Sequence, residues 1–281
     1  MIPHACIRFG LAVMRYSALV FVATVLLLPI YWLVLASFRP AADIFATAGT
    51  VSVATFLPER LTFEHWREAW SGELPRAVAN SLFVALTTVA LGVTVNSLAG
   101  FAFAVFEFPG KRLLFVLVLA TFMMPFESIV IPLYVLVRGL GLTDTYAALI
   151  LPEVASGLVI FLFRQFFAAV PKELYEAARV DGASWLQIWW RLTLPLSGPT
   201  IATASLMLFV HQWDAFFWPL VAAPGPERIV VQVAIARNVT LEVANWGGLF
   251  ASASTAILLA LVPFLLLQRF YLHTIASAAE R

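Results

Sequence analysis

The stretch that decides how this chain is organised reads EAARVDGASWLQIWWRLTLPL, residues 176–196. It brings acidic, basic and small residues together, whereas the chain on both sides of it is mostly apolar. A polar segment of this length between apolar runs is expected to lie in water. We therefore infer that it projects as a short helical hairpin and meets a partner in the aqueous phase.

Composition places the rest of the chain in a membrane. Of its 281 residues, 62% are apolar and only 12% are charged, about half the charged share of an average soluble domain. A soluble domain of this size cannot hide that much apolar surface in one core. The formal net charge of +1 indicates no nucleic-acid partner, and the single Cys6 excludes an internal disulfide.

Six apolar runs are long enough to cross a bilayer, since about 20 helical residues span its hydrocarbon core. Their continuous Leu, Val, Ala and Phe content favours helices over the alternating strands of a barrel. We therefore predict an all-α membrane protein with six transmembrane helices. The predicted spans are residues 16–38, 77–103, 113–137, 146–163, 200–222 and 248–267.

The distribution of basic residues predicts that both termini are cytoplasmic. With the N-terminus inside, ten Lys and Arg residues fall on the inner side and seven on the outer side. The polar stretch then lies in an inner loop, residues 169–198, between the fourth and fifth helices. The predicted segments are a cytoplasmic tail (1–15), the first transmembrane helix (16–38), an external loop (39–76), a core with five further helices (77–270) and a second cytoplasmic tail (271–281).

Proline, glycine and serine predict the shape of the polar stretch. Pro171 suits the first turn of a helix that runs through Asp181. Gly182 breaks that helix, because glycine readily adopts a positive φ. Ser184 then caps a second short helix that runs through Arg191, and Pro195 and Pro199 end it before the fifth span.

Polar groups inside the apolar runs are candidates for a solute pathway, because ionisable side chains there are costly unless paired or hydrated. Glu127 lies between two prolines that kink the third span, which suits a gate or a cavity wall. Glu153, in the fourth span, either serves the pathway or bonds a neighbouring helix. Asn80 and Asn96 are interpreted as contacts between helices.

Asp214 is the strongest pathway candidate. It ends the sequence His-Gln-Trp-Asp at residues 211–214, and Trp218 follows one turn later. A carboxylate, an amide and aromatic rings together suit a sugar, since they bond its hydroxyls and cover the C–H side of its ring. The alternative is that Asp214 pairs with a partner subunit.

The polar stretch resembles the EAA signature of permease subunits of binding-protein-dependent ABC importers. It matches at EAA (176–178), at Gly182 and at LTLP (192–195). The similarity extends from the first span to Arg269. Further matching segments are SFRP (37–40), AGFAFAVFEFPGK (99–111), WDAFFWPL (213–220) and QR (268–269).

The subgroup with the greatest similarity is the six-span, maltose-G-like carbohydrate type. Two segments, FLFRQFF (161–167) and MPFE (124–127), resemble its glycerol-3-phosphate permease branch. Two features depart from the pattern. Asp214 stands where the family commonly has Asn, and the tail 271–281 lacks the usual Gly-rich ending, so that no docking of this tail on an ATPase is expected.

The resemblance implies a permease subunit in a bacterial inner membrane that moves a sugar or sugar-like solute, including the glycerol-phosphate and amino-sugar types. Its implied partners are a paralogous permease subunit, two ATPase subunits and an extracytoplasmic solute-binding protein. This chain would bind no cofactor or metal and catalyse no reaction, since ATP and Mg belong to the ATPase. The implied coupling residues are Glu176, Ala177, Ala178, Asp181, Gly182, Ala183 and Ser184. The pathway candidates are Asp214, Trp213, Gln212, Glu127 and Trp218.

Two other classes of function are weaker. An ion-coupled secondary transporter would use Glu127 and Asp214 as ion sites, but it predicts inverted repeats that the sequence does not display. A membrane-embedded enzyme is disfavoured because the four histidines form no H-E-x-x-H cluster. The chain also has no phosphate-binding G-x-x-x-x-G-K-[ST] motif, so we expect the energy of ATP to come from another chain.

Overall fold

The computed structural model of the chain describes residues 4–46, 49, 53–240 and 244–279, with side chains between residues 11 and 267. Within these ranges the regular elements are helices, and one isolated antiparallel bridge joins Val239 to Ala244. The helices are α1 His4–Ala36, α2 Val53–Phe56, α3 Glu64–Ser71, α4 Leu74–Val105, α5 Lys111–Met123, α6 Phe126–Gly139, α7 Tyr146–Ile150, α8 Gly157–Ala169, α9 Lys172–Val180, α10 Trp185–Ile188, α11 Leu194–Leu196, α12 Gly198–Trp213, α13 Phe217–Ala222, α14 Val231–Ala236 and α15 Trp246–Ala279. Short 3-10 turns at Ala41–Asp43 and Leu151–Glu153 and a π-helical turn at Trp189–Thr193 complete the described elements.

Three helices are long and apolar enough to cross a membrane by themselves: Leu11–Ala36, Leu74–Val105 and Trp246–Leu267. Three further candidates are bent pairs. Among the described residues the count is therefore three spans, or up to six if each pair forms one span. The pairs are Lys111–Met123 with Phe126–Gly139 (103°), Tyr146–Glu153 with Gly157–Ala169 (45°), and Trp185–Leu196 with Gly198–Trp213 (86°).

The helix ends differ from the predicted spans in two respects. Helix α1 already begins at His4 and α15 continues to Ala279, so the described parts of both predicted tails are helical. The predicted fifth span, 200–222, is broken, because α12 ends at Trp213 and α13 begins only at Phe217. Pro219 explains the break, since its ring would clash with the carbonyl of residue 215 in a continuous helix.

The chain divides into two compact units. The first comprises Met1–Gly72 and Ile235–Ala256. A small apolar core of Ala36, Ile44 and Phe250 holds it together. Beside this core the buried Arg39 donates from Nη2 to the carbonyl oxygens of residues 54 and 55, which fixes the segment that follows α1.

The second unit comprises Glu73–Ala234 and Ile257–Arg281, and α4 is its central helix. Helix α4 packs against α8 and α12. At the α4–α8 crossing, a Cβ atom added to Gly100 would lie 2.6 Å from the Cβ atom of Phe163. The two backbones approach this closely because Gly100 has no side chain, which is a common device between membrane helices.

Two buried asparagines on α4 bond segments outside that helix. Asn80 contacts another helix, as predicted, since its Oδ1 atom accepts from the hydroxyl of Tyr146 on α7, whereas Asn96 bonds the break between two helices. Asn96 donates from Nδ2 to the carbonyl oxygen of Val154 (2.8 Å) and accepts at Oδ1 from the amide of Ser156 (2.8 Å). These are backbone groups at the break between the two halves of the fourth candidate span, so Asn96 replaces the hydrogen bonds that the break removes. Asn80 similarly donates to the carbonyl oxygens of Glu227 and Ile229.

Candidate functional site

The polar stretch folds as the hairpin that its sequence predicts; we call residues 172–196 the hairpin. Helix α9 begins after Pro171 and ends at Val180, Asp181 follows as its C-cap, and Gly182 adopts a φ of +83°. The amide of Gly182 donates to the carbonyl oxygen of Arg179 (3.1 Å), and the amide of Ala183 donates to that of Ala178 (3.0 Å). This pair of bonds is the usual end of a helix whose following glycine is left-handed.

The second half of the hairpin begins at the predicted cap. The Ser184 hydroxyl accepts from the amide of Gln187 (3.3 Å), and the Gln187 side chain accepts from the amide of Ser184 (2.7 Å). The helical path passes Pro195 and continues to Leu196, and α12 begins at Gly198 with Pro199 in its first turn, so the predicted end before the fifth span lies between the two prolines. The π-helical turn just before Pro195 widens the backbone, which accommodates a proline that lacks an amide hydrogen.

Aromatic residues attach the hairpin to the rest of its unit. Tyr175, from α9, is buried against Phe101 and Phe167 and donates its hydroxyl to the carbonyl oxygen of Phe167 (3.1 Å). Burial raises the pKa of the Tyr175 hydroxyl to about 12. Ile188 and Trp189 enter the same cluster from the second half. Both halves of the hairpin are therefore held by one apolar cluster at the ends of α4 and α8.

Arg179 closes the turn between the two halves. Its guanidinium lies 5.0 Å from the ring centre of Trp185, and Nη1 donates to the carbonyl oxygen of Ala183 (2.7 Å). Trp185 also meets the ring of Phe106 edge to face, with 5.0 Å between the ring centres. These contacts fix the tip of the hairpin relative to the end of α4.

The outer surface of the hairpin combines acidic and apolar groups. Of the predicted coupling residues, Ala178 and Ala183 are half-buried against the aromatic cluster. The sequence reasoning missed Val180 and Leu186, which flank the turn and are 87% and 64% exposed. Large apolar side chains beside a polar turn were the signal that could have found them. The exposed coupling residues are Glu176, Ala177, Asp181, Gly182 and Ser184.

Three of the five pathway candidates are buried inside the chain. Trp213 stacks on Phe209 with 5.5 Å between the ring centres. Trp218 donates from Nε1 to the carbonyl oxygen of Ala148 (2.9 Å), and Gln212 donates to that of Leu149 (3.4 Å). These three residues therefore support the region around Asp214 by packing beneath it.

Asp214 and Glu127 are the pathway candidates whose side chains are exposed. Asp214 lies in the break after α12, where its Oδ1 atom is 3.5 Å from Nε2 of Gln232. Glu127 lies in the first turn of α6, directly after the break between α5 and α6. Each exposed carboxylate thus stands beside an interruption of an apolar helix, where backbone groups are also available to a solute.

Glu153 has a partner that the sequence did not reveal. Its Oε2 atom lies 2.9 Å from Nε2 of His211, on α12. The expectation that Glu153 bonds a neighbouring helix is confirmed, whereas the identity of His211 as its partner has no local signal, because 58 residues separate the two. Among the described residues no group of three or more His, Cys, Asp or Glu side chains could hold a metal ion.

Comparison with known proteins gives one family. Residues 96–274 match the family described as binding-protein-dependent transport system inner membrane component. An arabinooligosaccharides transport system permease protein, AraQ, of Halalkalibacterium halodurans is 32% identical over 90% of this chain and 90% of its own length. The sn-glycerol-3-phosphate transport system permease protein UgpE of Agrobacterium fabrum is 32% identical over 95% of this chain and 97% of its own length.

Two solved structures share the fold. The first is a bacterial ABC transporter involved in the import of the acidic polysaccharide alginate, with a TM-score of 0.81, 23% identity, and coverage of 96% of this chain and 99% of the other. The second is a bacterial alginate ABC transporter in complex with an alginate pentasaccharide-bound periplasmic protein, with a TM-score of 0.62, 19% identity, and coverage of 93% and 92%.

Proposed function

The chain belongs to the family of binding-protein-dependent transport system inner membrane components, and on this premise we propose that it forms half of the translocation pathway of an ATP-driven sugar importer. The permeases of this family carry solutes and catalyse no reaction. In our proposal the second half of the pathway is a paralogous permease subunit. Two ATPase subunits, which hold ATP and Mg, and an extracytoplasmic solute-binding protein complete the importer.

The proposed topology has six transmembrane helices with both termini in the cytoplasm. Three continuous helices and two bent pairs of sufficient length and apolarity support five of these spans. The proposed fifth span, 200–222, consists of α12 and α13, while the Trp185–Leu196 half of the third bent pair belongs to the hairpin. The excess of Lys and Arg on the inner side supports the orientation. This arrangement puts the hairpin in the cytoplasm, where an ATPase is accessible to it.

The hairpin is the observation that carries the proposal. Its outer face presents Val180 and Leu186 beside the carboxylates of Glu176 and Asp181. We propose that this mixed face docks in a cleft of the ATPase, with the two apolar side chains as its buried contacts. Because the inner face is held by the aromatic cluster, a displacement of the hairpin is transmitted to α4 and α8 as a rigid-body movement.

The proposed pathway surface contains Asp214 and Glu127. Their carboxylates suit the hydroxyl groups of a sugar, while Gln212, Trp213 and Trp218 hold the segment around Asp214 in place. The named relatives support a carbohydrate solute, since one is called an arabinooligosaccharides permease and another an sn-glycerol-3-phosphate permease. We therefore propose a sugar or sugar-like solute.

Replacing Val180 with Asp tests the docking surface. Since Val180 is 87% exposed, the substitution leaves the fold intact. A charge in a desolvated contact is expected to reduce ATPase co-purification by about tenfold or more, as at the centre of other interfaces. The measurement is the ratio of ATPase to permease after affinity purification, together with solute uptake.

Val53→Asp is the matched control, because this valine is 76% exposed and lies in the predicted external loop. It is expected to retain normal ATPase binding and uptake. If Val180→Asp retains both as well, the hairpin does not dock as proposed. If the unaltered chain never co-purifies with an ATPase and solute uptake does not depend on ATP, the proposal of an ATP-driven importer is wrong.

A further inference from the structure

A polar cavity of about 350 Å³ lies at the start of α4 in the second unit, and it has no role in the coupling or pathway surfaces. It is lined by Arg76, Asn80, Tyr146, Glu227 and Arg228. These residues come from, or directly adjoin, three segments that the sequence places outside the membrane: 39–76, 138–145 and 223–246. The cavity therefore opens on the side from which solute is delivered in the proposed importer.

The floor and one wall of the cavity are rigidly built. Asn80 is buried; its Nδ2 atom donates to two carbonyl oxygens, and its Oδ1 atom accepts from the Tyr146 hydroxyl (2.8 Å). No group of the Asn80 side chain is thus left for a ligand. The free functional groups of the cavity belong to its rim.

Asp144 contacts one of the lining residues, Arg228, and has a left-handed backbone. It is the one described residue other than glycine with a positive φ, +57°. Its carboxylate accepts from the amide of Gly225 (3.1 Å) and lies 3.4 Å from Nη1 of Arg228. Asp adopts a left-handed backbone more readily than most residues, and the bonds to Gly225 and Arg228 fix it here.

Among the charged residues that line the cavity, Arg76 is the one without an ion-pair partner in the described part of the chain. Arg228 already faces Asp144 and also approaches Glu227, whose Oε2 atom lies 3.9 Å away. Arg76 is exposed, and within the described part of the chain it forms no ion pair or hydrogen bond. A guanidinium in an open polar cavity binds a carboxylate well, because its planar N–H groups match the two oxygens.

We propose that this cavity receives an acidic side chain of the extracytoplasmic solute-binding protein, which bonds to Arg76. This inference rests on the proposed function. The rim carries both signs of charge, since Glu227 is exposed beside Arg76. Such a rim fits a folded protein, which also presents both signs, better than a uniformly anionic lipid surface, which would be repelled by Glu227 and Asp144.

The test uses the complete importer in lipid nanodiscs and its purified, solute-loaded binding protein. ATP hydrolysis is measured against the concentration of binding protein. For Arg76→Ala we expect the half-maximal concentration to rise by roughly three- to tenfold, with basal ATP hydrolysis unchanged. Raising the ionic strength should increase the half-maximal concentration of binding protein more for the unaltered importer than for the variant.

Arg138→Ala is the matched control, because Arg138 is also exposed and also predicted to be external, but does not line the cavity. Gly225→Ala is a second variant: its Cβ atom would lie 2.5 Å from Oδ2 of Asp144 and displace this carboxylate. We expect Gly225→Ala to raise the half-maximal concentration and Arg138→Ala to leave it unchanged.

Three results would overturn the inference. One is a half-maximal concentration that is the same for Arg76→Ala and the unaltered importer. The second is an effect of Arg76→Ala that disappears when anionic lipid is omitted, which would assign the cavity to a lipid headgroup. The third is that Arg76→Ala changes the solute concentration required for stimulation of ATP hydrolysis but leaves the half-maximal concentration of the loaded binding protein unchanged. In contrast, if the binding protein never stimulates the unaltered importer, the proposed function fails as well.

Discussion

Gly100 shows how a single residue permits the central helix crossing. A Cβ atom at this position would meet the Cβ atom of Phe163 at 2.6 Å and the amide nitrogen of Arg164 at 2.9 Å. The second of these atoms belongs to the backbone of α8 and cannot turn away. Helices α4 and α8 therefore keep their present distance only while residue 100 has no side chain.

For Gly100→Ala we accordingly expect a loss of stability of about 1–3 kcal/mol, the usual cost of adding a methyl group to a packed interior. The measurement is thermal unfolding in detergent, followed by tryptophan fluorescence. Gly139→Ala is the control, since a Cβ atom there would meet nothing within 4 Å. An equal melting temperature for Gly100→Ala and the unaltered chain would contradict the close crossing.

At the scale of an element, the bent fourth span depends on one side chain of another helix. The bend of 45° between Tyr146–Glu153 and Gly157–Ala169 frees backbone groups, and Asn96 bonds two of them. Residues 92–100 of α4 therefore do two things: they allow a close crossing and they complete the hydrogen bonds of the neighbouring break. The bend is a stable part of the fold for this reason.

For Asn96→Leu we expect a clear drop in melting temperature, because each buried backbone group that loses its partner costs about 1–3 kcal/mol. Thr94→Val is the control on the same helix, since the exposed Thr94 hydroxyl bonds only the carbonyl oxygen of Ala90. If the two variants unfold at the same temperature, the break is satisfied without Asn96.

At the scale of the whole molecule, the proposed transport function joins the hairpin to polar groups at the breaks in apolar helices. For Asp214→Ala we expect uptake to fall by about tenfold through the loss of hydrogen bonds between a charged group and the solute. Assembly with the ATPase should remain intact, because Asp214 is exposed and the whole of α12 separates it from the hairpin.

Two further variants decide the chemistry at this position. Asp214→Asn should retain more uptake than Asp214→Ala, since an amide still bonds hydroxyl groups and the resembled family commonly has Asn here. Glu107→Ala, which removes an exposed carboxylate from the turn after α4, should leave uptake unchanged. Normal uptake by Asp214→Ala would remove Asp214 from the pathway.

Local signals in the sequence determined the class of protein and the hairpin. Apolar runs of spanning length predicted membrane helices, and their physical basis is the thickness of the bilayer. Pro171, Gly182 and Ser184 act on backbone groups within four residues, so their effects were readable without the rest of the fold. The same reasoning predicted that Pro195 and Pro199 end the second helix, and the helical path ends between them because a π-helical turn accommodates Pro195.

Contacts between distant residues were decided only by the tertiary structure. The pairing of Glu153 with His211 joins positions 58 residues apart, and the cavity at Arg76 joins segments about 150 residues apart along the chain, as the Asn80–Ile229 bond illustrates. Burial of Trp213 and Trp218 likewise depends on which helices pack against them. The sequence by itself thus determined a membrane permease and the shape of its polar hairpin, because these signals are local. Which polar groups remain free for a solute or a partner depends on packing, and only the folded chain specifies that.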